Sequence, residues 1–420
     1  MAVLARTRST WKALPRSVRR SVWSLLSVLN GRWPRRYNRV LQVPSFFWAW
    51  ITTEAAFPLL LLHLWRAWRG RRSVASPLLR ELSSAADLAT AVGLGAFIAE
   101  GAQADDQFTA ALAPYLGDDE LAARPPAVRA GAWIPLLYGG RRRRHRIRNI
   151  VFHEHGERVR LKLDVYQPVE PWDATGARRP ALVQIHGGAW LVGDKREQGI
   201  PLLNHMAANG WVCFNVNYRL SPKARAPEHL VDCKRAIAWI REHADEYGVD
   251  PDFICVTGGS AGGHLAAMVA LTGADHSFQP GFEEADCSVQ GAIPFYGVYD
   301  LVDEEGLMIP GFRELLVEPI LFGAKFAADG APFRSYSPIS RVVPDAPPMM
   351  IVHGSRDALV PVESARRFAH LMSEVSEHAV VYVELYGAQH AFDVFPSPRT
   401  VRTIEYCQQF LDAVHRGAIK

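Results

Sequence analysis

Residues 253–267 read FICVTGGSAGGHLAA. FICVT is a short apolar, β-branched run, the pattern of a buried strand. HLAAMVALTG (264–273) is small-residue and apolar, and long enough for a helix. Between them four glycines surround one serine. Gly258 to Gly262 matches G-x-S-x-G, and a strand before it with a helix after it is the context that gives the pattern meaning. The glycines permit a strained, sharp turn and a close approach of neighbouring elements. Such a turn holds Ser260 Oγ out into a cleft. The N–H of Ala261 opens the following helix, with the helix dipole behind it. The expected fold is therefore α/β, with a mainly parallel central sheet flanked by helices.

Upstream, 181–185 (ALVQI) is another apolar run, and HGGAW (186–190) leaves it through two glycines. Bare amides are useful where negative charge develops, and attack of a serine on a carbonyl creates an oxyanion. Gly187, Gly188 and Ala261 are the expected donors; losing one such donor costs about 3–4 kcal/mol of barrier. Around them, 159–166 (VRLKLDVY) alternates like a half-exposed strand, and 211–216 is apolar throughout. Residues 228–247 read as a helix. Leu230, Cys233, Ile237, Ile240 and Ala244 share its stripe, and Gly248 stops it. Strands are expected at 289–296, 348–352 and 380–385, and helices at 360–375 and 399–414. Apolar strands alternating with helical stripes are the mark of a parallel sheet covered on both faces.

A serine hydroxyl needs a base, and the base needs an orienting carboxylate. Asp357 lies in HGSRDALVP (353–361) and His390 in YGAQHAF (386–392), each just after a strand. The order Ser260, Asp357, His390 is that of the α/β-hydrolases. Asp300 and Asp393 also follow strands and are the alternatives to Asp357. His153 and His155, in FHEHGERV, read as a polar hairpin and fit a metal pair poorly. His264, on the helix after the serine, reads as structural. His186 is expected to hydrogen-bond the oxyanion loop, and 218–222 (YRLSP) to shape a loop beneath the cleft. No G-x-G-x-x-G follows a strand and no phosphate loop is present, so neither a cofactor nor a metal is expected.

HGGAW, YRLSP, PDFICVTGGSAGGHLAA (251–267), HGSRD and the late His390 together resemble the hormone-sensitive-lipase-like carboxylesterases, in particular mycobacterial Lip-type esterases with an N-terminal extension. The likeness covers about 149–416. It implies an α/β-hydrolase fold, hydrolysis of a small-molecule ester or lipid through an acyl-enzyme, and a helical cap over the acyl pocket. Residues 73–140 and an insertion at 302–340 are the expected sources of that cap. Two positions depart from the family. Ala189 stands where a third glycine is common, and Gly259 where Asp or Glu precedes the nucleophile. HGG-x-W also occurs in arylformamidase-like and feruloyl-esterase-like relatives, so an amidase on the same machinery is the second reading. A non-catalytic binding module is the third, although such proteins typically lose a triad member.

The first 72 residues are built differently. They hold 14 Lys or Arg and one acid, Glu54, whereas the rest of the chain has 33 basic and 42 acidic groups. Seven of the twelve tryptophans also lie there. In 17–30, Val18, Val22, Leu25, Leu26 and Leu29 fall at helical spacing. The stretch 46–64 (FFWAWITTEAAFPLLLLHL) has the length of a membrane span but carries Glu54 and Pro58, with arginines at both ends. It also lies too late, behind too long a basic stretch, for a convincing cleaved signal peptide. Residues 1–72 are expected to lie on an anionic membrane surface, with a helical cap on the enzyme as the alternative. No nucleic-acid recognition motif accompanies the charge. Residues 73–140 read as short helices, and RRRRHRIR (141–148) as a solvated linker, with a phosphate-binding patch as the alternative, giving an extension at 1–140 and a catalytic domain at 141–420. The location expected is cytoplasmic or peripheral to a membrane. Cys213, Cys233, Cys255, Cys287 and Cys407 are scattered, fit neither a disulfide framework nor a zinc site, and suit a reducing compartment.

Overall fold

The computed structural model describes residues 14–34, 41–70, 76–122, 144–156, 159–170, 172, 176–326, 330–395 and 397–420. Its strands are β1 (Arg144–His155), β2 (Val159–Pro168), β3 (Arg179–Ile185), β4 (Val212–Val216), β5 (Val249–Gly259), β6 (Gly291–Phe295), β7 (Met349–Gly354) and β8 (Val380–Leu385). They form one sheet in the order β1-β2-β4-β3-β5-β6-β7-β8. The hairpin β1–β2 and the pair β2–β4 are antiparallel, and every later pair is parallel. The longer described α-helices are α1 (Arg16–Arg32), α2 (Gln42–Glu54), α3 (Ala56–Gly70), α4 (Pro77–Ala102), α5 (Ala104–Leu112), α6 (Ile200–Ala208), α7 (Glu228–Glu242), α8 (Ala261–Leu271), α9 (Val362–Val375) and α10 (Pro398–His415).

Alternation along the strands sorts side chains to two cores. Ala181, Val183 and Ile185 face the layer of α7, α8 and α9. Leu182 and Cys213 face the layer of α5, α6 and α10. Layers on both faces explain why β3 and β4 read as continuous apolar runs. The stripe predicted on 228–247 is buried throughout. That helix breaks at His243, resumes as Ala244–Tyr247 and ends at Gly248, which takes φ +64°. The FHEHGERV segment is the β1–β2 hairpin, with His153 opposite Leu161.

Three boundaries differ from the sequence reading. Residues 144–148 are not linker: they start edge strand β1, where Arg146 pairs with Asp164 of β2. Arg141 to Arg143, Pro125, Pro126 and Pro135 lie outside the described residues. Residues 77–102 form one long helix instead of several short ones. Finally, α5 belongs to the hydrolase core. Phe108 stacks on Tyr406 at 5.0 Å, and Thr109 shares a hydrogen bond with the Tyr406 hydroxyl.

The N-terminal helices pack on one another and on the enzyme. Helix α1 crosses α4 closely: a Cβ at Gly31 would sit 2.9 Å from the Phe97 ring. Its inward face is Val18, Ser21, Val28 and Gly31, so the expected stripe is turned outward in part, with Leu26 and Leu29 exposed beside Trp23. The apolar stretch 46–64 is no straight span, because α2 and α3 meet at an 85° bend. Pro77–Leu112 is long and apolar enough to cross a membrane by composition, yet α4 packs on α1 and α3, and its continuation α5 is in the core.

Glu54, improbable in a membrane, is buried in an ion pair with Arg399 of α10 and accepts a hydrogen bond from Ser397. Glu100 of α4 grips Arg356 through two hydrogen bonds of 2.7 and 2.8 Å. Removing one partner strands a buried charge. Glu54→Ala and Glu100→Ala are each expected to cost about 3–5 kcal/mol in denaturant unfolding. A cost below about 1 kcal/mol, the level of a surface pair, would mean these pairs do not fasten the helices.

Candidate active site

Strand β5 delivers Ser260 at φ 59° and ψ −119°, a strained turn between the strand and α8. The surrounding glycines are there for space. A Cβ on Gly258 would lie 2.5 Å from the Gly262 carbonyl oxygen, and one on Gly263 equally close to that of Phe295. The Ser260 N–H donates to the Phe295 carbonyl at 3.0 Å, which ties the elbow to β6. The amide of Ala261 is the first of α8 and has no intrahelical partner.

Asp357 and His390 meet at the ends of β7 and β8. His390 Nδ1 donates to Asp357 Oδ2 at 2.6 Å. Asp357 Oδ1 accepts the amides of Leu359 and Val360, each at 2.8 Å. Burial alone would raise this carboxyl, but the charge and hydrogen bonds of His390 and His353 outweigh it and hold it well below the carboxylate range. With Nδ1 donating to Asp357, Nε2 is left as the basic nitrogen. Ser260 Oγ makes no hydrogen bond to His390 or to any other described residue; such contacts are often long without substrate. The alternatives are engaged elsewhere. Asp300 accepts the amides of Val302 and Glu304, and Asp393 takes the Tyr296 hydroxyl.

The oxyanion loop lies beside the serine: a Cβ on Gly187 would come within 3.1 Å of Ser260 Cβ. The amide of Gly187 donates to Gln198 Oε1 at 2.7 Å, so it is already engaged. Among the described residues no acceptor meets the amides of Gly188 and Ala189. Gln198 was not legible in the sequence, being 11 residues away with no motif around it. His186 is structural, as expected. Its Nδ1 hydrogen-bonds the Gly187 carbonyl, its ring stacks on Tyr218 at 4.5 Å, and the Tyr218 hydroxyl donates to the His186 carbonyl. His264 hydrogen-bonds the Tyr336 carbonyl.

Burial pushes His186 down, His264 to about 4 and His229 to about 3. An unfolded histidine titrates near 6.5, so below that pH the unfolded chain binds more protons and stability falls. The contribution is complete above about 6.5 and drains away as pH approaches the folded values. At pH 5 the loss is about 2 kcal/mol for each of His264 and His229. The Tm is therefore expected to drop steeply between pH 7 and 5; a flat profile there would contradict neutral buried imidazoles.

The model of the BD-FAE family matches residues 163–372. "Probable carboxylic ester hydrolase LipM" of Mycobacterium tuberculosis is 40% identical over 400 residues, covering 93% of this chain and 91% of the relative. The chain belongs to the BD-FAE family. It is a hormone-sensitive-lipase-like carboxylic ester hydrolase. "Esterase LipC" of the same organism is 38% identical over 312 residues, covering 73% of this chain and 75% of the relative. Among solved structures, the apo form of Thermogutta terrifontis esterase 2 is similar with a TM-score of 0.54 and 30% identity. It covers 65% of this chain and 95% of its own. At 93% coverage, the LipM likeness takes in most of the N-terminal helices as well.

Both departures of this BD-FAE member have a physical reading. A Cβ on Gly259 would lie 2.6 Å from the Tyr296 hydroxyl, so the Tyr296–Asp393 pair fills the space of an acidic side chain. Tyr296 also places its ring 4.6 Å from His390. Ala189 and Trp190 both take positive φ, 54° and 57°, a strain held in place by the buried Trp190 indole against His264.

Helix α2, from the segment for which a cap was the alternative reading, lies on the catalytic loops, and among the described residues of 73–140, α4 reaches the same loop through Glu100 and Arg356. Gln42 Nε2 donates to the Ala358 carbonyl, and Trp50 Nε1 to that of Ala391, at 2.8 and 2.9 Å. The Phe46 ring stands edge-on to His390 at 6.0 Å. The 302–340 insertion carries a π-helix at Arg313–Phe322, whose Val317 and Leu321 join the core. Nothing in residues 42–50 beyond apolar, aromatic character marked them as neighbours of a histidine more than 300 positions later.

Proposed function

We propose that the enzyme cleaves carboxylic esters of short to medium acyl chains through an acyl-enzyme on Ser260. The observation that carries this reading is the Asp357–His390 pair, which the Tyr296 ring links to the strained turn holding Ser260. His390 Nε2 takes the Ser260 proton as Oγ attacks the ester carbonyl, and Asp357 stabilises the imidazolium. The amides of Gly188 and Ala261 receive the oxyanion, with Ala189 in the place first given to Gly187, whose amide serves Gln198. His390 then protonates the leaving alcohol, and water, activated by the same imidazole, releases the acid. The test is covalent labelling with an organophosphonate, mapped by mass spectrometry. The adduct is expected on Ser260 alone, and modification elsewhere would remove the assignment. Rates on esters of graded chain length, and on matched amides, decide acyl and leaving-group preference. An amide rate exceeding that of its matched ester would favour the amidase reading.

A specific feature supports a membrane-surface role for the N-terminal helices. Trp23, Phe47 and Trp68 are 52%, 51% and 68% exposed, and Leu26, Ile51 and Trp65 are exposed beside them. A monomer rarely leaves so many large apolar side chains on one end in water. Together with the basic charge, they suit the interfacial region of an anionic bilayer, where the ester substrate would be a lipid. Full-length enzyme is expected to pellet with anionic vesicles, less so at high salt; no pelleting at low salt would leave these helices only as a cover.

A further inference from the structure

Between the first turns of α1 and α4 and the last turns of α3 lies a cleft of about 480 Å³, a volume in the range of small-molecule sites. Five guanidiniums line it: Arg16, Arg20, Arg66, Arg69 and Arg80. Among the described residues the only carboxylate in the lining is Asp87, which faces the buried His63 at 3.7 Å. Among the described residues no carboxylate pairs with Arg16, Arg20, Arg66 or Arg69, and Arg69 instead lies over the Trp65 ring at 4.6 Å. Neither α1 nor α4 has an acid in its first turn, and α1 has no side-chain cap. Like charges thus converge on a concavity where two helix N-termini add positive potential, opposed by the C-terminal end of α3, so the arginines dominate the field. The buried arginines Arg356 and Arg399, by contrast, are each neutralised by a carboxylate. Charge left uncompensated in a cleft is a site for an anion.

We infer that this cleft binds the phosphate of an anionic phospholipid headgroup. This rests on the membrane-surface reading above and names the contact within it. Guanidinium matches phosphate oxygens two at a time, which suits a phosphodiester better than a lone carboxylate. Ser84 in the lining supplies a hydroxyl to the same group, beside Ser83, which shares a hydrogen bond with Ser21. The lip identifies the source as lipid rather than free phosphate. Trp23 and Trp65 line the cleft and are exposed, so the phosphate enters from the side on which aromatic rings meet acyl chains. A headgroup held there fixes the enzyme's orientation on the bilayer, with α2 and the catalytic loops beneath it at a set distance from lipid esters.

The test uses the full chain and cosedimentation with phosphatidylcholine vesicles, with or without roughly 30 mol% phosphatidylglycerol. R16Q/R20Q/R66Q removes three cleft charges; R160Q/R178Q/R334Q removes three from the hydrolase surface. The cleft variant is expected to lose roughly 100-fold in affinity for phosphatidylglycerol vesicles and its preference over phosphatidylcholine, the control several-fold at most. Hydrolysis of a soluble butyrate ester should be unchanged in both, which reports folding. Equal losses in the two variants would overturn the cleft while leaving the membrane reading intact. W23S/L26S, which alters no charge, tests that reading: it should weaken binding to both vesicle types. Failure of the wild type to bind any vesicle removes both. Glycerol 3-phosphate should displace the enzyme from vesicles only at far higher concentration than lipid phosphate. Displacement at equal concentration would make the ligand a soluble phosphate and overturn the lipid assignment.

Discussion

Ser260→Ala is expected to lower kcat by a factor on the order of 10⁴–10⁶ while leaving the fold intact, and to abolish the phosphonate adduct. The substitution removes one oxygen and leaves the backbone demands unchanged, because alanine meets the same φ of 59° with the same Cβ. The Phe295 carbonyl still receives the amide of residue 260, and α8 still begins at Ala261. What remains is an oxyanion site and a histidine able to activate water, which accounts for a residual rate above solution. The Tm should move by no more than a few degrees. A variant that still turns over ester at a tenth of the wild-type rate would show that another group attacks the carbonyl.

Asp357→Asn should cost about 10⁴ in kcat with little change in KM. The hydrogen bonds dictate why. Oδ1 accepts two backbone amides, so an asparagine must keep its carbonyl oxygen there. Its NH2 group then faces His390 Nδ1 in place of Oδ2. Nδ1 is forced to accept, the imidazole proton moves to Nε2, and the nitrogen that should take the serine proton already holds one. The same variant loses a carboxylate that the fold holds ionised. That carboxylate contributes stability above about pH 4, lost as pH falls towards its depressed value, so the variant's Tm should fall less than the wild type's in acid. Asp393→Asn serves as the comparison, since its partner is the Tyr296 hydroxyl. A tenfold or smaller effect at position 357, with a larger one at 393, would move the orienting role to Asp393.

The sequence carried the catalytic half of the molecule because its constraints are local. A nucleophile turn needs glycines within a few residues, a parallel strand needs an apolar run, and triad members sit where strands end. What it hid were contacts closed over distance. Gln198 competes for the Gly187 amide through a side chain with no motif. Tyr296 explains Gly259 only once β5 and β6 are side by side. In the N-terminal helices, hydrophobic periodicity misled for a definable reason. It marks apolar residues without saying whether protein or lipid covers them, and in α1 small residues, Ser21 and Gly31, take the inward face instead. Glu54 reads as a cost to a span, with nothing nearby to suggest its partner, because Arg399 lies 345 positions away.

The pairing of Glu54 and Glu100 with Arg399 and Arg356 makes the amino-terminal third inseparable from the machinery it covers. Were the chain cut back to its sheet and flanking layers, Arg356 and Arg399 would lose their carboxylates together with the helices that cover them. The apolar surface around them would meet water, at Arg356 next in sequence to the triad aspartate. Activity lost in such a truncation would report disturbance around residue 357, not a missing lipid contact. A workable minimal enzyme must make polar the surface that these helices cover in the same step.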